Sequence, residues 1–223
     1  PPLRSSAASD VYKRQVMDLL PENTNVLYIN GDYHSLVSSI EDKKFNLFPI
    51  DMSDNLELVI ASSLENNPID TLVISMVQYT NGLLIDFDFL SDLKQKYPSL
   101  SIIGDATQYI GTDIFNFYNS PFDAIVCSGY KWLLAGFGNG FVALSDAFLA
   151  KNNTSSEKFA EKVYAGHFNI LGAASLVFAL ERLIENDFKK LVETNQLLSS
   201  ELRKALSLLS LIHISEPTRQ WQI

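Results

Sequence analysis

The sequence predicts an α/β domain of three layers, α/β/α, around a mostly parallel sheet, followed by long helices. Three observations carry this. Short, nearly continuous apolar runs alternate with amphipathic helical stretches between about residues 25 and 145, the pattern of strands covered on both faces by helices. From about residue 169 the texture is helical throughout, with no strand signal after Ser145. The chain has 223 residues, 47% hydrophobic and 19% charged, enough to bury a substantial core and too apolar for a disordered chain.

The elements follow in order. "NVLYI" (25–29), "TLVISMV" (71–77), "SIIGDA" (101–106) and "DAIVCS" (123–128) read as buried strands, rich in β-branched and large apolar residues. "NLFPID" (46–51) is a shorter strand and "GFVALS" (140–145) a further one. Helices are expected at about 33–41, 54–66 and 87–97. The second opens with Asp54 as cap and carries Leu56, Val59, Ile60 and Leu64 on one face. The third carries Phe89, Leu90, Leu93 and Tyr97 and ends before Pro98. "KNNTSSEK" (151–158) reads as a polar loop. No internal repeat is present.

Charge and cysteine usage narrow the function classes. Seventeen basic against 26 acidic residues give a net charge of −9, with no basic cluster in the body of the chain. Nucleic acid and an anionic membrane surface are therefore not expected partners. No stretch of 18 uncharged apolar residues predicts a membrane span. Cys127 is the single cysteine, which excludes an internal disulfide and a cysteine-based zinc cluster and suits a reducing cytoplasm. Both ends, "PPLRSSAASDVYKRQ" (1–15) and about 212–223, lack the periodicity of the rest and resemble translated adapter or vector sequence. The expectation is a fragment of a longer protein. A large domain would occupy 16–190, with 191–211 a helix leading toward a smaller C-terminal domain.

In an open α/β sheet, ligands bind beyond the carboxyl ends of the strands. Three predicted strand ends are chemically loaded here. The run 71–77 leads into Gln78; 101–106 delivers Asp105, with Gln108 after it; 123–128 delivers Ser128, Tyr130 and Lys131. A lysine in so dry a neighbourhood loses proton affinity and becomes a usable amine nucleophile. The plain alternative is a lysine whose stem packs on Trp132 while its head reaches water. The glycines Gly136, Gly138 and Gly140 precede a strand, not a helix, and no lysine with Ser or Thr closes them. That fails the tests for a nucleotide loop, and backbone room beside the lysine explains them instead. Cys127 reads as a small buried hydrophobe.

"DATQYIG" (105–111), "FDAIVCSGYKW" (122–132) and "AGFGNGFVALS" (135–145) together resemble the class V aminotransferase branch of the fold-type I pyridoxal-phosphate (PLP) enzymes. That branch includes cysteine desulfurases, kynureninases and isopenicillin-N-epimerase-like proteins. An acid followed three residues later by Gln, a serine three residues before a lysine, and a glycine-rich turn beyond form a specific combination. The resemblance spans about 16–207.

The resemblance implies roles residue by residue. Lys131 corresponds to the Schiff-base lysine that holds PLP and moves protons at the substrate α-carbon. Asp105 corresponds to the partner of the pyridinium nitrogen, keeping the ring an electron acceptor; by itself it also reads as a strand-end turn cap. Gln108 would bond the ring's phenolic oxygen. Ser128 corresponds to a phosphate-binding serine, and Tyr130 stands where many relatives carry histidine. Asp32 aligns "NGDYHSL" so that Tyr33 stacks on the ring with His34 beside it, and Gln78 matches an amide near the ring. His167, after Gly166, would reach the phosphate of a neighbouring subunit, making the native enzyme a homodimer. No metal is implied. The phosphate loop and the substrate-carboxylate arginine of relatives have no counterpart here; Arg182 and Arg203 do not match the latter. The implied activity is that of a PLP enzyme acting on an amino acid, with transamination, desulfuration, elimination and epimerisation sharing every residue named. A non-catalytic α/β partner domain is the rival of another class.

Overall fold

The computed structural model describes residues 8–163 and 169–208. Six strands form one sheet in the order β2-β1-β3-β4-β5-β6. They are β1 (Asn25–Asn30), β2 (Asn46–Asp51), β3 (Thr71–Ser75), β4 (Ser101–Asp105), β5 (Ala124–Ser128) and β6 (Gly140–Leu144). All neighbours pair parallel except β6, which runs antiparallel to β5. Every residue of β3, β4 and β5 is buried, which is why these strands are unbroken apolar runs. Edge strand β2 is partly exposed and carries Pro49, which an edge tolerates.

Two helical layers cover the sheet. The helices are α1 (Ala8–Met17), α2 (His34–Glu41), α3 (Leu56–Asn66), α4 (Phe87–Lys96), α5 (Asp146–Lys151), α6 (Ser156–Val163), α7 (Ile170–Glu185) and α8 (Phe188–Leu208). Leu56, Ile60 and Leu64 of α3 and Leu90 and Leu93 of α4 pack with Leu27, Leu72 and Ile102 on one face. Val16 and Met17 of α1, Leu36 and Ile40 of α2 and Phe148 of α5 pack with Val26, Val73 and Val126 on the other. Alternate residues of each strand thus serve opposite layers. Helix α4 is capped by Asp86, whose side chain accepts from the backbone of Asp88 and Phe89.

Several boundaries differ from the sequence expectation. Helix α3 starts at Leu56 with Asn55 at its N-cap position and no side-chain cap bond, so Asp54 does not cap it. The expected polar loop 151–158 shortens to 152–155, because α5 runs to Lys151 and α6 begins at Ser156. Residues 8–15, expected to be foreign, form most of α1 and lie against the sheet. Helix α8 runs unbroken across the expected boundary at 190–191. Among the described residues, no helix is long and apolar enough to cross a membrane. Helix α7 leaves Ile170, Leu171, Phe178 and Ile184 exposed.

Candidate active site

Strand β1 connects to edge strand β2, and the chain then returns to β3 on the other side of β1. The connections from β1 and β3 therefore leave in opposite directions, and a crevice opens beyond their carboxyl ends. A cleft of about 380 Å³, counting its open mouth, lies there. At or beyond the strand ends, Tyr33 borders it from β1, Ser75, Val77 and Tyr79 from β3, Asp105, Thr107 and Gln108 from β4, and Ser128, Tyr130 and Lys131 from β5. Asp10 and Lys13 of α1 close one side.

Asp105 is the last residue of β4 and is 4% exposed. Its Oδ1 accepts from the Thr107 backbone N–H at 3.0 Å, and its Oδ2 meets Lys13 Nζ at 2.7 Å. Lys13 is itself 1% exposed, donates to Ser35 Oγ at 2.9 Å and stands 4.7 Å from the centre of the Tyr33 ring. A cationic N–H donor thus sits between the carboxylate and an aromatic face. Thr107 was not singled out in the sequence, yet its Oγ1 accepts from the Ser128 backbone N–H at 3.2 Å, joining the ends of β4 and β5. An Asx-type turn directly after a buried strand is the signal that could have found it.

Lys131 follows β5 in a tight loop closed by Ala135 N–H donating to Gly129 O at 2.9 Å. Its ammonium lies 5.8 Å from the centre of the Tyr33 ring and 5.9 Å from that of Tyr130, and it forms no ion pair with any described residue. Its head therefore lies beside two tyrosine rings, while Trp132 is 40% exposed. Burial lowers its proton affinity below the ordinary lysine value, partly opposed by the Asp105 carboxylate. Tyr130 stacks on Phe137 with ring centres 5.3 Å apart, and burial raises its phenol above the ordinary value.

The loop is held from behind by residues the sequence reading missed. Asn139 donates to Ala135 O at 2.7 Å, Ser175 of α7 to the same carbonyl at 2.5 Å, and Asn169 to Gly138 O at 3.0 Å. Asn169 also caps α7 by accepting from Gly172 N–H at 3.0 Å. The glycines serve this loop and not room at the lysine. Gly136 and Gly138 take φ of +72° and +77°, and a Cβ on Gly140 would stand 2.5 Å from Cys127 O on the paired strand.

Gln108 and Ser128 border the cleft as expected from their strand ends, and Tyr33 turns its ring toward it. His34 is exposed beside Tyr33, with ring centres 4.8 Å apart. Gln78 does not border the cleft: its Nε2 donates to Asp32 Oδ2 at 3.2 Å, so the amide faces the sheet between its neighbours Val77 and Tyr79. His167 lies outside the described residues. Cys127 is fully buried, and burial pushes its thiol far up, so it is no nucleophile. Among the described residues, no group of three His, Cys, Asp or Glu gathers to hold a metal.

No family model matches the chain, and no curated protein does. Solved structures do. An alanine–glyoxylate aminotransferase from Nostoc sp. superposes with a TM-score of 0.76 at 13% identity, over 91% of this chain and 59% of that one. A cysteine desulfurase from Thermococcus onnurineus NA1 gives 0.70 at 15% identity, over 91% and 56%. A mutant of C-DES, with glycine covalently linked to its PLP cofactor, gives 0.74 at 12% identity, over 90% and 60%. The chain thus spans little more than half the length of the structures it matches. The chain has the fold that these three structures share.

Proposed function

We propose that the chain is the lysine-bearing part of a PLP-dependent enzyme of the class V aminotransferase type, acting on an amino acid. The observation that carries this is the pairing across one cleft of a half-buried Lys131, which forms no ion pair with any described residue, with a buried Asp105 already holding a cationic N–H donor. The residues fit the group. Lys13 Nζ on Asp105, over the Tyr33 ring, marks a position suited to a pyridinium N–H, with Tyr33 against the ring face. Lys131 would hold the aldehyde carbon covalently; Gln108 would serve the phenolic oxygen, and Ser128 with Tyr130 the phosphate. PLP, when bound, supplies an electron sink for a carbanion at the substrate α-carbon. The protein's part would be to present the Asp105 carboxylate to the pyridinium N–H, to hold Tyr33 against the ring face, and to move a proton at the α-carbon through the Lys131 amine.

Transamination is the named reaction. Desulfuration, elimination and epimerisation use the same residues and differ in which substrate bond stands perpendicular to the ring. The exposed apolar residues of α7 support a homodimer, with a second copy covering them and His167 reaching its phosphate. A cytoplasmic setting accords with the lone Cys127.

The test is reduction with borohydride in the presence of PLP, followed by peptide mapping. The phosphopyridoxyl label is expected on Lys131; a label confined to surface lysines such as Lys189 overturns the reading. A second reading, a non-catalytic α/β partner domain, draws on the neutralisation of Asp105 by Lys13. It predicts no label on Lys131 even after Lys13→Met.

A further inference from the structure

The end of β1 carries a buried carboxylate that the site as described does not use. Asp32 is 4% exposed and does not border the cleft. Its Oδ1 accepts from the Tyr33 backbone N–H at 2.6 Å and from Ser75 Oγ at 2.6 Å. Its Oδ2 accepts from the Ser75 backbone N–H at 3.0 Å and from Gln78 Nε2 at 3.2 Å. Four donors from two segments more than forty residues apart in sequence converge on one carboxylate, and none of them is charged. These hydrogen bonds replace the water that burial removes from the carboxyl group, so it is satisfied within the fold.

The position of this network gives it a purpose. In the register, β1 pairs with β3 only from Val26 to Tyr28, so the two strands separate before their carboxyl ends. Asp32 spans that gap beneath the cleft. Of its partners, Tyr33 and Ser75 border the cleft, and Tyr79, next to Gln78, packs edge-on against Tyr33 with ring centres 5.5 Å apart. Gln78 belongs to the same network. With Nε2 on Asp32, its Oε1 is buried without a partner, so the amide is held by the carboxylate and not by the cleft.

We propose that Asp32 is a positioning residue that bolts the segment after β1 to the end of β3 and thereby fixes the Tyr33 ring at the cleft. It acts through Tyr33 and Ser75 and touches no bound group itself. The role of Tyr33 as a ring-stacking face rests on the PLP reading; the bolt itself does not.

The experiment compares the chain with its Asp32→Asn variant by amide hydrogen exchange and by PLP-induced circular dichroism in the visible range. Asparagine keeps the size but offers an N–H₂ group to donors that need an acceptor. Exchange at the Tyr33 and Ser75 amides is expected to rise at least about tenfold, while that of Ile103 in the core of β4 stays within about twofold. The induced dichroism of bound PLP is expected to fall by more than half at equal PLP occupancy, since a freed Tyr33 no longer imposes one hand on the ring. Unchanged exchange at Tyr33 and Ser75, or an equal rise at Ile103, overturns the bolt. Unchanged dichroism overturns its effect on the ring. If Asp32→Asn does not fold, Ser75→Ala, which removes one donor and keeps the carboxylate, carries the same exchange comparison. Failure of the PLP reading shows separately, as absence of a Lys131 label in the parent chain, and leaves the exchange result to decide on Asp32.

Discussion

Replacing Asp105 by asparagine removes one charge of a buried ion pair while keeping its volume. Asp105 and Lys13 stand 2.7 Å apart, with side chains 5% and 1% exposed. At that distance two unit charges attract by about 6 kcal/mol at an effective dielectric constant of about 20, and the desolvation of both offsets much of this. Breaking such a pair from one side costs about 3–5 kcal/mol, because the remaining charge stays buried. Lys13 keeps Ser35 Oγ at 2.9 Å and Asp10 at 3.8 Å, and asparagine retains a carbonyl acceptor. The low end, about 3 kcal/mol, is therefore expected for Asp105→Asn. With a urea slope of about 2–3 kcal/mol/M, the midpoint falls by about 1–1.5 M. The assay is urea unfolding of the parent, Asp105→Asn, Lys13→Met and the double variant, followed by far-ultraviolet circular dichroism. The double variant leaves no orphaned charge and should recover most of the summed loss. An Asp105→Asn midpoint equal to the parent's, or strictly additive single losses, would refute the docking of α1 against Asp105.

Three other expectations follow from the same contacts. Lys13→Met removes the cation that competes for Asp105, so affinity for PLP should rise at least about tenfold in a visible-absorption titration; an unchanged or weaker affinity refutes the competition. Burial lowers the proton affinity of Lys131, so more of its amine is neutral at a given pH below the ordinary lysine value, and neutral amine is the reactive form. Its labelling by PLP and borohydride should therefore reach half-maximum at lower pH than that of exposed Lys189, and coincident profiles refute this. In Gly104→Ala the new Cβ would stand 2.8 Å from Phe122 Cδ1 and 3.0 Å from Met76 Cε; a loss of about 1–3 kcal/mol in urea unfolding is expected, and a neutral result means that Phe122 moves aside freely.

The alternation of apolar runs with helical periods was enough to locate all six strands and the helices α2, α3, α4, α7 and α8, because each signal lies within a window of neighbouring residues. Asp105, Gln108, Ser128, Tyr130 and Lys131 were legible as candidates for a similar reason. Each lies at or within three residues of the carboxyl end of a buried strand, and parallel strands deliver their ends to one side of a sheet. What those residues meet across the cleft was not legible. Lys13 reaches Asp105, Asp32 binds Ser75 and Gln78, and Ser175 and Asn169 grip the lysine loop. Gln78 sits at a strand end like the others, yet its amide turns inward because a buried carboxylate takes it.

Period and composition thus determined, by sequence alone, that the chain is an α/β sheet with a loaded carboxyl edge, since hydrophobic burial acts face by face along each element. The tertiary structure alone decided the strand order, the antiparallel edge strand β6, and which polar groups share a hydrogen bond. A buried polar group must find a partner wherever the fold supplies one: Lys13 finds Ser35 22 residues away, and Asp32 finds Ser75 43 residues away.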